Sequence, residues 1–92
     1  MMTAAAKHAT AYRVQVLDRA FTILNALAEN GSELGLAELS AQLRLHKSTV
    51  HRLLMMLEQH RYVERNPSSP KYRLGWKLFE LGMRAVARRD LF

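Results

Sequence analysis

The stretch from Leu36 to Val63, LAELSAQLRLHKSTVHRLLMMLEQHRYV, contains the clearest periodicity in the chain. Its apolar residues recur at helical spacing in two separate groups, which are Leu36, Leu39 and Leu43, then Val50, Leu53, Leu54 and Leu57. Leu45, between the groups, is placed to fill the angle between two helices. The pattern predicts a short helix over 36–43, a turn at Arg44-Leu45 and a longer helix over 46–61.

The side of the second helix opposite the leucine stripe is polar and basic. It carries Ser48, Arg52, Met55 and Gln59, with Lys47 and His51 on one flank and Thr49 on the other. An arginine can donate two parallel hydrogen bonds to guanine, and short hydroxyls suit phosphates or base edges. Such a helix pair reads the major groove through the N-terminal part of its second helix, so DNA contact is one interpretation. A solvated surface is the other.

Composition narrows the possible classes of protein. The chain has 92 residues, 49% of them hydrophobic, and no cysteine, which predicts one small domain without disulfides or thiolate metal sites. Its apolar runs are too short for a membrane span or a secretion signal, so we expect a cytoplasmic protein. The net charge of +6 arises between Arg44 and Lys77, where eight basic residues meet only Glu58 and Glu64. This distribution favours a polyanionic partner.

The segment after the long helix changes period. Tyr62–Arg65 and Lys71–Leu74 alternate as short strands around a turn-rich loop over 66–70, which predicts a hairpin, or wing, over 62–74. We expect Val63, Tyr72 and Leu74 to be at least half-buried. The cations Arg65, Lys71 and Arg73 would lie beside the loop. A basic hairpin after such a helix pair favours DNA binding much more strongly than either feature alone.

The N-terminal part predicts a flexible arm over 1–13 and a helix from Val14 to Asn30, with Phe21 and Leu24 in the core and Val14 and Val16 near a second subunit. Asn30-Gly31 is expected to end this helix, because both residues tolerate the left-handed conformation. Leu34 and Leu36 alternate around Gly35, so a brief strand there could pair with the hairpin. Gly35 is placed as the N-cap of the next helix, with Glu38 in its first turn.

The C-terminal segment from Gly75 to Phe92 predicts a helix that begins near Trp76. It has two adjacent apolar faces, which are Leu78, Leu81, Gly82 and Ala85, and Trp76, Phe79, Met83 and Val86. Together they are too wide for a single contact with a small domain. We expect one face to pack on the domain and the other to meet a second subunit.

The sequence gives little support for an enzyme or a metal-binding protein. The chain has no suitable pair of carboxylates, glycine-rich phosphate loop or Ser-His-Asp set, and His46 and His51 lack the spacing of a helical metal pair. We therefore predict no enzyme activity, no metal and no cofactor. The alternative is a winged-helix module for protein–protein interaction without specific DNA binding, against which the basic helix face and basic wing both argue.

Several motifs together resemble the N-terminal DNA-binding domain of the IclR family of bacterial transcriptional regulators. They are Val16–Leu24, Leu36–Ser40, Lys47–Leu54, Leu57-Glu58, Tyr62–Arg65 and Tyr72–Gly75. The resemblance implies a mainly α fold, a winged helix-turn-helix over 14–75 with a three-helix core and a two-stranded wing, followed by a linker helix over 76–92. It also implies a homodimer, formed through helix 1 and the linker helix, on a near-palindromic operator.

The resemblance also assigns site residues by motif. Lys47, Ser48, Thr49, His51 and Arg52 would face DNA, with Arg19, Arg65, Lys71 and Arg73 as weaker candidates for phosphate contacts. Family members usually have Gly, an apolar residue and Pro in the turn, where this chain has Arg44-Leu45-His46. The missing glycine leaves a left-handed turn in question, and Arg44 becomes a candidate phosphate contact. Because the sequence stops at Phe92, within or just past the linker, we expect no small-molecule effector to bind.

Overall fold

The computed structural model describes residues 4–29 and 33–88, with side chains from Gln15 onward. In chain order the elements are α1 (Ala4–Glu29), β1 (Leu34–Gly35), α2 (Leu36–Leu43), α3 (Lys47–Gln59), β2 (Val63–Arg65), β3 (Lys71–Leu74) and α4 (Trp76–Arg88). The expected helix end at Asn30-Gly31, the side chain of Val14 and the end of α4 at Phe92 lie outside the described residues.

Helix α1 begins at Ala4 rather than at Val14. Residues 4–13, which we expected to form a flexible arm, therefore continue the helix. The prediction was based on the missing apolar period of this segment. It gave too little weight to the alanines, which have the highest intrinsic helix propensity.

The helix pair and the hairpin are confirmed. Helix α2 has the predicted bounds, and α3 lies within the predicted 46–61, with His46 as its N-cap and His60 as its C-cap. The brief strand is also present, because β1 pairs with β3 through Leu34 and Tyr72. The sheet order is β1-β3-β2, antiparallel throughout, so β3 is the central strand. At the start of α2 the Gly35 N–H donates to Glu38 Oε1 at 3.0 Å.

The core lies where α1, α2, α3 and the sheet meet. Its buried side chains are Ile23, Ala26, Leu27, Leu34, Leu39, Val50, Leu54, Leu57, Val63 and Tyr72. Leu24 and Leu45 pack against this cluster as partly buried residues. The expectation that Phe21 lies in the core was wrong, because its side chain is 52% exposed. Leu74 is 36% exposed, which agrees with the expectation that it is at least half-buried. It is more exposed than Tyr72 because β1 flanks β3 only at Lys71 and Tyr72.

Helix α4 leaves the body of the domain directly after β3. None of its residues is buried, and the Trp76 side chain is 65% exposed. The expectation that one apolar face of α4 packs on the domain was therefore wrong. The physical reason is at Gly75, which packs against the backbone of Arg61 and Tyr62 and so turns the chain outward. In the described part of the chain, no helix combines the length and apolarity needed to span a bilayer.

Candidate nucleic-acid interface

Helix α3 is oriented by its leucine stripe. Val50, Leu54 and Leu57 are buried, which turns the opposite side of the helix toward solvent. On that side Lys47, Ser48, His51 and Arg52 are exposed and Thr49 is partly buried. The residues that the sequence singled out on this helix therefore form one accessible polar surface at its N-terminal end. We call Lys47, Ser48, Thr49, His51 and Arg52 the α3 face.

The turn before α3 is left-handed without a glycine. Arg44 adopts φ 55° and ψ 45°, and the Leu45 N–H donates to the Ser40 carbonyl at 3.2 Å. The Ser40 hydroxyl donates in turn to the Leu45 carbonyl, which closes the turn from both sides. A non-glycine residue in this conformation costs about 1–2 kcal/mol. Leu45, packed against the core, offsets part of that cost and leaves the Arg44 side chain exposed next to α3.

The end of α3 uses a second left-handed arginine, which the sequence analysis missed. Arg61 has φ 66°, the Arg61 N–H donates to the Glu58 carbonyl at 3.0 Å, and the Tyr62 N–H donates to the Leu57 carbonyl at 2.9 Å. This pair of hydrogen bonds is the Schellman motif, in which glycine is usual. No residue type in the sequence signals it, since arginine is not favoured at such a position.

The loop of the wing is tied to the segment that precedes β1. The Asn66 Oδ1 accepts the Ser68 N–H at 2.7 Å, and the Asn66 N–H donates to the Lys71 carbonyl at 2.8 Å. The Asn66 amide group also donates to both carboxylate oxygens of Glu33, at 2.7 and 2.9 Å. Neither Asn66 nor Glu33 was singled out in the sequence, because the contact joins segments far apart in the chain.

The wing cations have partners within the domain. Arg65 donates to the Tyr72 hydroxyl at 2.9 Å and lies 5.4 Å from the centre of its ring, a contact that raises the pKa of Arg65. The Lys71 Nζ lies 3.9 Å from Glu38 Oε1. Arg73 contacts two carboxylates, with Nε 3.2 Å from Glu64 Oε2 and Nη1 3.7 Å from Glu33 Oε2.

The cations on and beside α3 differ from those of the wing. Among the described residues, Arg19, Arg44, Lys47 and Arg52 have no carboxylate within ion-pair distance. Arg19 of α1 also lines a cleft of about 330 Å³ together with Thr49 and Arg52. The fold therefore brings Arg19, which is remote in sequence, next to the α3 face. Its positive charge is not neutralised by a described acidic side chain.

Two further features bear on function. An apolar groove of about 520 Å³ runs between α1 and the second half of α3, and its lining includes Leu17, Met56 and Tyr62. Among the described side chains, which are those of residues 15–29 and 33–88, histidines and carboxylates form no group of three that could hold a metal ion.

Comparison with known proteins shows which family has this architecture. The IclR helix-turn-helix domain model matches residues 16–67. The transcriptional regulator XynR of Escherichia coli is 41% identical over 85% of this chain, and KdgR of Dickeya chrysanthemi is 44% identical over 79%. This chain spans 31% of the length of XynR and 24% of that of KdgR. Both relatives are named as regulators of transcription and not as enzymes, in line with the sequence analysis.

Solved structures show the same arrangement. An IclR transcriptional regulator of Alicyclobacillus acidocaldarius matches 78% of this chain with a TM-score of 0.74 and 32% identity, over 29% of its own length. The IclR protein of Thermotoga maritima matches 82% of this chain with a TM-score of 0.74 and 25% identity, over 30% of its length. Family model, relatives and structures agree, and the chain belongs to the IclR helix-turn-helix domain family of DNA-binding transcriptional regulators.

Proposed function

We propose that this domain binds operator DNA with α3 in the major groove and the wing on the adjacent backbone or minor groove. The observation that carries the proposal is the exposure of the α3 face opposite a buried leucine stripe. Arg52 would donate to a guanine edge, and Lys47, Ser48, Thr49 and His51 would contact bases or nearby phosphates. Because its partner is chromosomal DNA, we propose a cytoplasmic location.

Phosphate contacts would come from the edges of this surface. Arg19 lies beside Thr49 and Arg52 in one cleft, and Arg44 is exposed in the turn before α3. Neither arginine has a described carboxylate partner, so a phosphate would not have to displace an ion pair. In the wing, Lys71 has one carboxylate partner among the described residues, Glu38 at 3.9 Å, and Arg65 keeps its positive charge beside Tyr72.

We further propose that two copies bind a near-palindromic operator as a homodimer through helix α1 and α4. The support is the amount of apolar surface left open on these two helices, with Leu17, Phe21, Trp76 and Phe79 all at least half exposed. Large exposed apolar patches on small domains usually mark interaction surfaces. A two-fold dimer would present two α3 helices to successive major grooves.

Arg52→Ala tests the proposal. Bound sites are first selected from random duplexes with the unaltered chain, and the affinity of each variant for them is then measured. We expect Arg52→Ala to weaken specific binding by about 1–3 kcal/mol and to relax base preference at one position per half-site. Arg84→Ala removes the same charge from an exposed position on α4 and serves as the matched control.

The salt dependence of the same binding separates DNA recognition from a protein–protein role. Specific affinity for the duplex should fall steeply as salt rises, because neutralised phosphates release counterions. Unchanged affinity and base preference in Arg52→Ala would show that the assigned face is wrong. A chain that does not bind duplex DNA even at low salt would instead favour the protein-interaction alternative.

A further inference from the structure

Three charged side chains from separate parts of the chain meet at the base of the wing. Arg73 in β3 faces Glu64 across the hairpin and also reaches Glu33, which precedes β1. We call Glu33, Glu64 and Arg73 the wing brace. Glu33 also accepts the Asn66 amide at the start of the wing loop, and Glu64 Oε1 accepts the Trp76 N–H at the start of α4, at 3.2 Å. The brace therefore joins the segment before β1, the wing loop and the start of α4.

The charges of the brace oppose a DNA contact at Arg73. One guanidinium stands between two carboxylates, so the local net charge is negative and a phosphate approaching it would be repelled. The α3 face lacks this feature, because no described carboxylate pairs with Lys47 or Arg52. The sequence analysis grouped Arg65, Lys71 and Arg73 as candidate phosphate contacts. The two carboxylates beside Arg73 set it apart from the other two.

We propose that Arg73 is a positioning residue that holds the wing in place and is not itself a phosphate ligand. The β1–β3 ladder ends at the Leu34–Tyr72 pair, and the Arg73 contacts with Glu33 and Glu64 hold the residues just beyond it. Through Glu64, which accepts the Trp76 N–H, they also hold the first turn of α4. Each pair is partly exposed and weak alone, but the two share one guanidinium and so act together. The inference rests on the proposed DNA binding only for its first test.

The first test compares Arg73→Ala with Lys71→Ala on the same strand. Affinity for a selected operator duplex is measured from low to high salt. A lost phosphate contact lowers the slope of log affinity against log salt by about 0.9, whereas a lost positioning contact leaves the slope unchanged. We expect the Arg73→Ala slope to equal that of the unaltered chain, although its affinity falls. A slope lowered by about 0.9 in Arg73→Ala would overturn the proposal.

The second test needs no DNA. Amide hydrogen exchange is followed at Asn66 and Trp76, whose N–H groups report on the wing loop and on the start of α4. Arg73→Ala should speed exchange at both by about two- to fivefold, and Lys71→Ala should leave both unchanged. If Arg73→Ala does not fold, Glu64→Gln replaces it. If exchange at Asn66 and Trp76 is unchanged in Arg73→Ala, the positioning role of Arg73 is overturned, even if the chain binds DNA. If exchange is faster, the positioning role is supported, even if the chain does not bind DNA.

Discussion

Arg44 and Arg61 occupy positions where a glycine would be the expected residue. Both have positive φ, and both are followed by a residue that packs against the core, Leu45 and Tyr62 respectively. In each case an apolar side chain directly after the left-handed residue holds the helix end in place, as it commonly does in such C-terminal motifs. The turn at Arg44 is therefore left-handed although the chain has no glycine there.

Gly75 is required for a different reason, which is a close approach of two backbones. A Cβ added there would lie 2.2 Å from the Arg61 carbonyl oxygen and 2.8 Å from the Tyr62 carbonyl carbon. The Gly75 N–H donates to the Tyr62 carbonyl at 2.8 Å, so the two segments cannot separate without losing this bond. We expect Gly75→Ala to lower the free energy of unfolding by about 1–3 kcal/mol, measured by thermal or urea denaturation.

Gly82→Ala is the control for this prediction. Gly82 lies in α4, and a Cβ there would meet nothing within 4 Å. Alanine should raise the helix content of α4, measured by circular dichroism, because glycine in a helix interior costs about 0.5–1 kcal/mol relative to alanine. Equal effects of the two substitutions on stability would contradict the proposed role of Gly75.

At the scale of elements, α1 shows the limit of periodicity. Apolar residues occupy two neighbouring stripes of this helix, one with Leu17 and Phe21 and the other with Ile23, Ala26 and Leu27. Only the second stripe is buried in the core. A helical wheel cannot choose between two apolar stripes, because the choice depends on the crossing of α1 with its neighbours.

The two stripes should differ in their contribution to stability. Leu27→Ala removes a side chain that is 1% exposed and should cost about 2–5 kcal/mol in free energy of unfolding. Phe21→Ala should cost about 1 kcal/mol or less, because half of that side chain is already in water. Denaturation at low protein concentration keeps any association from contributing. A larger loss in Phe21→Ala than in Leu27→Ala would mean that the assigned core is wrong.

At the scale of the whole molecule, the main feature is apolar surface that the domain does not cover. It lies on α1, at the groove lined by Leu17 and Met56, and along α4, where the rings of Trp76 and Phe79 pack at a tilt of 32° with centres 4.6 Å apart. A 92-residue chain with this much exposed apolar area gains stability from a partner that covers it.

The proposed homodimer predicts association that depends on α4. Sedimentation over a concentration series should show a monomer–dimer equilibrium, and Phe79→Glu should weaken it at least about tenfold, since a buried aromatic contributes about 1.5–3 kcal/mol. Arg84→Gln lowers the net charge by the same one unit on the same helix and should leave the equilibrium unchanged. A monomer at all concentrations, or a Phe79→Glu chain that dimerises equally well, would contradict the proposed interface.

The local pattern of the sequence was sufficient to determine the bounds of α2, the presence of the hairpin and the outward side of α3. These depend on contacts between residues near one another in the chain, so Val50, Leu54 and Leu57 on α3 and the alternation at Lys71–Leu74 already specify them. Only the tertiary structure decided which stripe of α1 is buried, that no α4 residue is buried, and that Glu33 and Glu64 hold Arg73. Those outcomes depend on how segments distant in sequence pack together. The free-energy difference between the alternative packings is set by the positions of helices and charges in space, which a local sequence pattern does not contain.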